Sequence, residues 1–146
     1  MMFRNAILGI GLGVILISAQ GFYSTMTTLA KYHFSTSYPS LSQEKLKMTL
    51  QHGRIKEQLV VYDKEQKVIL TKQLNGWFFR LFDYYYVLGM QGNGANQEYY
   101  LKFKSFYIET LTSGNSLLIR DHRGIYRSKS GEIVPLNSVM QGQQIS

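Results

Sequence analysis

LNGWFFRLFDYYYVLGMQG, residues 74–92, places one Trp, three Phe and three Tyr within nineteen residues. Aromatic rings suit a pleated, half-buried surface, and turn-forming residues bracket this run, so it reads as the centre of a β meander. Asn75-Gly76 is the strongest two-residue hairpin signal in the chain, because a type I′ turn needs positive φ at both central positions. A strand leaving that turn puts Trp77, Phe79 and Leu81 on one face and Phe78, Arg80 and Phe82 on the other. Tyr84, Tyr85 and Tyr86 cannot all be core, since alternate residues face opposite ways, and Tyr85 is the one expected to point outward. Trp77 and Phe79 are thus assigned to the core, with Tyr99 and Phe103 further on. Phe78, Phe82 and Tyr85 are assigned to a partner or ligand surface, because dense exposed aromatics favour contact. Arg80 and Asp83 read as solvated surface charges.

Outward from this run the pattern is short strands punctuated by turns. Lys45–Leu50 can follow a capping turn or form a strand. Arg54–Tyr62 carries Ile55, Leu59 and Val61 on one face and Lys56 and Gln58 opposite. Asp63–Gln66 is a polar turn, Lys67–Gln73 puts Val68 and Leu70 on one side, and Gly92–Asn96 is a loop. Between Glu98 and Thr112 the alternation changes phase, from Tyr99, Leu101 and Phe103 to Phe106 and Ile108. A β-bulge near Lys104-Ser105 accounts for that change. Ser113–Ser116 is a tight hairpin returning into Leu117–Arg120. Two further turns follow, around Ile125-Tyr126 and Ile133-Val134. Seven or eight strands in sequential hairpins make a mainly β domain, an antiparallel meander curling into a small barrel or half-barrel. A β-sandwich is the alternative.

The N-terminus sets the location. Arg4 is the only charge before the apolar run Ala6–Ala19, and the uncharged stretch Asn5–Ala30 covers 26 residues. A membrane span needs roughly 20. Ala19-Gln20-Gly21 offers small residues for cleavage of a signal peptide after Gly21. The preferred reading is a retained signal anchor, touching the bilayer through residues 6–23, with Phe22 and Tyr23 at the interface. Glycines 9, 11 and 13 are read as glycine tolerated in a membrane helix. The expected organisation is residues 1–30 as signal anchor, 31–43 as a Ser/Thr-rich linker containing Pro39, 44–137 as the β domain, and 138–146 as a flexible tail. The near flank carries no charge and long domains translocate largely regardless of charge. The β domain is therefore placed in a periplasm-like space, behind a single-pass bacterial inner-membrane anchor, or wholly soluble there if the segment is cleaved.

The totals exclude several chemistries. No cysteine means no disulfide, thiolate metal site or cysteine nucleophile. A net charge of +7 raises nucleic acid as a partner, but the basic residues are scattered with no recognition motif, so none is expected. Attraction to anionic headgroups fits a membrane-tethered domain better. His33, His52 and His122 lack ligand-spaced neighbours, so no metal is expected. Asp121-His122 reads as a locally bonded turn, no serine sits in a nucleophile elbow, and Gly92-x-Gly94 lacks a strand–turn–helix setting. The chain is expected to be non-enzymatic, with no catalytic residue and no cofactor.

Asn75-Gly76-Trp77 at a turn-to-strand junction resembles the Gly-x-Trp region of lipocalin-like barrels, except that Gly76 directly precedes Trp77. The layout, a four-residue start, one span, a Ser/Thr linker and a meander ending TLTSGNSLLIRD, resembles the small periplasmic accessory proteins of ToxR-type transmembrane regulators, the ToxS-like and FidL-like proteins. That resemblance implies a lipocalin-like barrel that pairs with a partner membrane protein in a regulatory hetero-oligomer and stabilises or activates it. An apolar ligand inside the barrel would bias the pairing. It carries over no catalytic or contact residue. Two alternatives stand beside it: a secreted lipocalin-like carrier of a small apolar molecule, and a structural subunit of an envelope secretion assembly.

Overall fold

The computed structural model describes residues 2–36, 43–93, 105–111, 116–121, 125–127, 133–135 and 139–145. Helix α1 spans Met2–Thr27. It contains a 23-residue stretch, Asn5–Thr27, long and apolar enough to cross a membrane. Such a helix is compatible with either a membrane anchor or a signal sequence. One residue later the chain enters β1 (Leu29–Thr36), followed by β2 (Gln43–Gln51), β3 (Arg54–Tyr62), β4 (Val68–Leu81) and β5 (Tyr84–Asn93). Then come β6 (Ser105–Thr110), β7 (Ser116–Asp121), β8 (Ile125–Arg127), β9 (Ile133–Pro135) and β10 (Val139–Ile145).

The fold is a closed eight-stranded antiparallel barrel in the order β1-β10-β7-β6-β5-β4-β3-β2, with β8 and β9 forming a separate two-stranded sheet. Closure removes the open edges of a sheet, so the sandwich alternative is set aside. Tight turns fix the register. His52-Gly53 joins β2 to β3 with positive φ at both residues, as a type I′ turn requires. At the next turn Asp63 Oδ1 accepts the backbone N–H groups of Glu65 at 2.9 Å and Lys67 at 2.8 Å.

Alternation builds the core. Leu46, Met48 and Leu50 on β2 and Ile55, Leu59 and Val61 on β3 point inward and are buried. They meet Ile119 of β7 and Met140 of β10, both fully enclosed. Burying each such side chain contributes about 1.5–3 kcal/mol. The same alternation sorts charge. On β2 and β3 the acids Glu44 and Glu57 are buried inside, whereas Lys45, Lys47, Arg54 and Lys56 are outside.

Several sequence expectations are corrected. The expected linker over 31–43 is strand for much of its length: Lys31–Thr36 lies in β1, Gln43 opens β2, and Leu29 and Ala30, assigned to the anchor, also lie in β1. Residues 37–42 lie outside the described residues. The expected flexible tail 138–146 contains β10, which closes the barrel by pairing with both β1 and β7. Its polar composition hides one inward anchor, Met140, and a close approach at Gly142, where a β-carbon would collide with the His33 carbonyl oxygen. Asn75-Gly76 is no turn: β4 runs straight through it for 14 residues, with a register shift against β5 between Asn75 and Trp77. The turn lies instead at Phe82-Asp83. Val68, expected on the same side as Leu70, is exposed at the start of β4, whereas Leu70 is buried. Strand β5 continues to Asn93, into the expected loop. The expected bulge at Lys104-Ser105 and hairpin at 113–116 fall largely outside the described residues, though Leu111 N–H donates to the Ser116 carbonyl at 2.9 Å across that hairpin.

Candidate functional site

Because β4 is continuous, Leu70, Leu74 and Phe78 share one phase and all point inward. This inverts the assignment made from a turn at Asn75-Gly76. Phe78 and Tyr85, expected on a partner surface, are 3% exposed inside the barrel. Tyr85 stacks on Phe106 with ring centroids 4.7 Å apart and lies 5.9 Å from Phe78. Trp77, expected in the core, is 53% exposed, and Phe79 is half-buried on the outer wall. Tyr99 and Phe103 lie outside the described residues. Phe82 is exposed, as expected of a contact residue, but at the tip of the β4–β5 turn. Burial pushes the Tyr85 phenol well above its ordinary range, reinforced by Tyr32 and opposed by Arg80.

What the inversion leaves outside is a connected apolar face. Cross-strand pairing sets Trp77 beside Leu88, Phe79 beside Tyr86, and Leu81 beside Tyr84. Trp77, Tyr84, Tyr86 and Leu88 are all exposed, and Tyr84 packs on Tyr107 at 4.9 Å. The Arg54 guanidinium covers the Trp77 ring at 4.9 Å, a contact worth about 0.5–1 kcal/mol when exposed. Contiguous exposed apolar side chains of this kind often mark a contact surface.

Helix α1 docks on this same wall. Gly21 lies against the Phe79 ring so closely that a β-carbon there would collide with it. One turn later the Thr25 hydroxyl donates to the Gly21 carbonyl at 2.7 Å and accepts the Arg80 backbone N–H at 2.7 Å. The Arg80 guanidinium donates from Nη1 to the Thr28 hydroxyl at 3.2 Å and from Nε to the Phe82 carbonyl at 2.9 Å. Arg80 is therefore a structural clamp and not the solvated charge expected from sequence. The β2–β3 turn holds the helix end from the other side. His52 N–H donates to the Thr28 carbonyl at 3.1 Å, and His52 Nδ1 lies 2.7 Å from the Met26 carbonyl. A carbonyl only accepts, so Nδ1 carries the proton in that contact. None of these clamp residues was singled out in the sequence for this role. Their signal is tertiary, since Thr25 and Arg80 stand 55 residues apart.

Two grooves lie away from this face, the first over β1, β2 and β10 and the second over β1 to β4. One, about 520 Å³, is lined by His33, Thr36, Lys45, Lys47, Gln141 and Gln143 among others. The second, about 460 Å³, is lined by Lys31, Lys47, Lys56, Gln58, Gln73 and neighbours. Both carry lysines but are mixed in polarity: Phe34 and Leu46 also line the first, and Tyr32, Met48 and Ile145 the second. Among the described residues no three His, Asp or Glu side chains gather as metal ligands would. No family model, curated protein or solved structure matches the chain.

Proposed function

We propose that this protein is a non-enzymatic, membrane-anchored barrel that binds a partner membrane protein through the outer face of β4 and β5. Helix α1 is read as a retained single-pass anchor in a bacterial inner membrane, with the barrel on the periplasmic side. The observation that carries this reading is that the exposed face of Trp77, Tyr84, Tyr86 and Leu88 shares the β4 wall with the docked end of α1. A partner crossing the bilayer beside α1 would meet that face first. Large aromatic side chains with few rotatable bonds are the residues that dominate such contacts. Interfacial pairing of this kind is consistent with the role implied by the resemblance to ToxS-like and FidL-like accessory proteins, the stabilisation or activation of a transmembrane regulator.

The test is purification of the full-length protein from its native membrane in mild detergent. A stoichiometric membrane-protein partner is expected, and a Trp77→Lys, Leu88→Lys variant of unchanged Tm is expected to lose it. Recovery of the chain without a partner, or an undiminished partner with the variant, overturns the proposal.

A further inference from the structure

At the Phe82-Asp83 tip of the β4–β5 hairpin the structure holds a bulky residue in a costly backbone conformation while its side chain stays out of the core. Phe82 has φ of 55°, in the left-handed region that a bulky side chain occupies only at a cost. Glycine or asparagine is the usual occupant of such a turn position. Yet Phe82 is 63% exposed and adds almost nothing to the core. Strain retained at an exposed position points to a use for the side chain.

The surroundings say what that use is. The Phe82 carbonyl is held by Arg80 Nε, while Nη1 of the same guanidinium holds Thr28. Thr28 is the single residue between the end of α1 and the start of β1, so the tip sits level with the end of the apolar helix. Asn5–Thr27 at about 1.5 Å per residue is about 35 Å long, slightly more than a hydrocarbon core of about 30 Å. The last turn of α1, and whatever is clamped beside it, is therefore at headgroup depth. Leu29, adjoining the helix end, is 66% exposed, and Phe22 and Tyr23 are exposed on the helix itself. Aromatic rings favour that interfacial zone.

We infer that the base of the barrel is seated in the bilayer interface, with Phe82 and Leu29 inserted among the lipid headgroups beside α1. The occupant is the lipid surface, distinct from the protein partner assigned to the wall above at Trp77, Tyr86 and Leu88. The inference rests on α1 being a retained anchor. The barrel then does not swing on a tether: the helix clamp and the inserted tip fix its height and tilt, which presents the β4–β5 wall to neighbours in the membrane.

Trp77 is the only tryptophan, so single-tryptophan variants report depth. Full-length Trp77→Phe, Phe82→Trp and Trp77→Phe, Leu88→Trp proteins are reconstituted into vesicles of phosphatidylethanolamine and phosphatidylglycerol. Part of the lipid is brominated on the acyl chain near the headgroup. Emission from position 82 is expected to be quenched several-fold more than emission from position 88. Equal quenching at both, or none at 82, in protein that floats with the vesicles overturns the seating and leaves the anchor intact. Protein that does not float overturns the anchor, and the seating with it. Phe82→Gly supplies the control for folding: it removes the backbone strain, so Tm in detergent should not fall. In vesicles, amide exchange around residues 81–84 should rise in Phe82→Gly. An unchanged exchange rate counts against insertion.

Discussion

The backbone N–H of Arg80 on β4 donates to the hydroxyl of Thr25 in the last turns of α1, at 2.7 Å and across 55 residues of sequence. Thr25 is 3% exposed, and its hydroxyl satisfies a partly buried strand amide. Thr25→Val keeps the shape and removes the acceptor, leaving a partly buried donor unpaired. The expected loss is about 1–3 kcal/mol, with faster exchange of the Arg80 amide measured by hydrogen–deuterium exchange in detergent. Thr25→Ser retains the acceptor and should lose much less.

Gly21 is required by contact and not by backbone conformation, since it lies within a regular helix. Gly21→Ala drives a methyl into the Phe79 ring. Overpacking of this kind costs typically about 1–3 kcal/mol, set against the better helix propensity of alanine. Thermal unfolding should show a lower Tm, and limited proteolysis should cut more readily near residue 28. Adding Phe79→Leu should recover most of the loss. A Gly21→Ala protein as stable as the parent would show that the helix is not docked there.

Phe78 and Trp77 are neighbours with opposite fates. Phe78→Ala empties a buried site and should cost about 3–5 kcal/mol. Trp77→Ala removes an exposed ring and its contact with Arg54, and should cost about 1 kcal/mol or less. Urea unfolding of the two variants reverses the ranking that a turn at Asn75-Gly76 would give.

That reversal marks where the sequence stopped being informative. The apolar helix, the mainly β plan and the inward set Ile55, Leu59 and Val61 are all legible, because each depends on a local period. The phase of the aromatic run is not local. It follows from whether β4 is continuous through Asn75-Gly76, and a strong turn dipeptide was overridden by pairing of Asn75 with both Lys56 and Gln91. Strand β10 is hidden in the sequence for the same reason. Its polar residues look unstructured until closure against β1 supplies partners on both sides. The clamp of Thr25, Thr28, His52 and Arg80 depends on long-range contacts, so no spacing in the chain announces it.

Tyr85 offers a titration. Its phenol is held above the ordinary value of 10.0 chiefly by burial. Below pH 10 both folded and unfolded states keep the proton, and the Tyr85 contribution to stability is intact. Above it the unfolded chain releases the proton while the folded barrel retains it, so stability falls as pH rises further. Burial also raises the Tyr107 phenol, so ultraviolet absorbance should show fewer tyrosinates in the folded protein than after denaturation at the same alkaline pH. Tyr85→Phe should reduce that difference by one tyrosinate and lessen the alkaline loss of stability.

The central claim is that the β4–β5 wall meets a protein partner in the membrane. A photo-reactive amino acid placed at Leu88 on that wall, and in a second protein at Gln141 on β10, across the barrel from β4 and β5, tests it in intact cells. The expected result is an adduct with one heterologous membrane protein from position 88 and none from position 141. Adducts of equal yield from both positions, or none from position 88 in protein that is folded and membrane-bound, would contradict it.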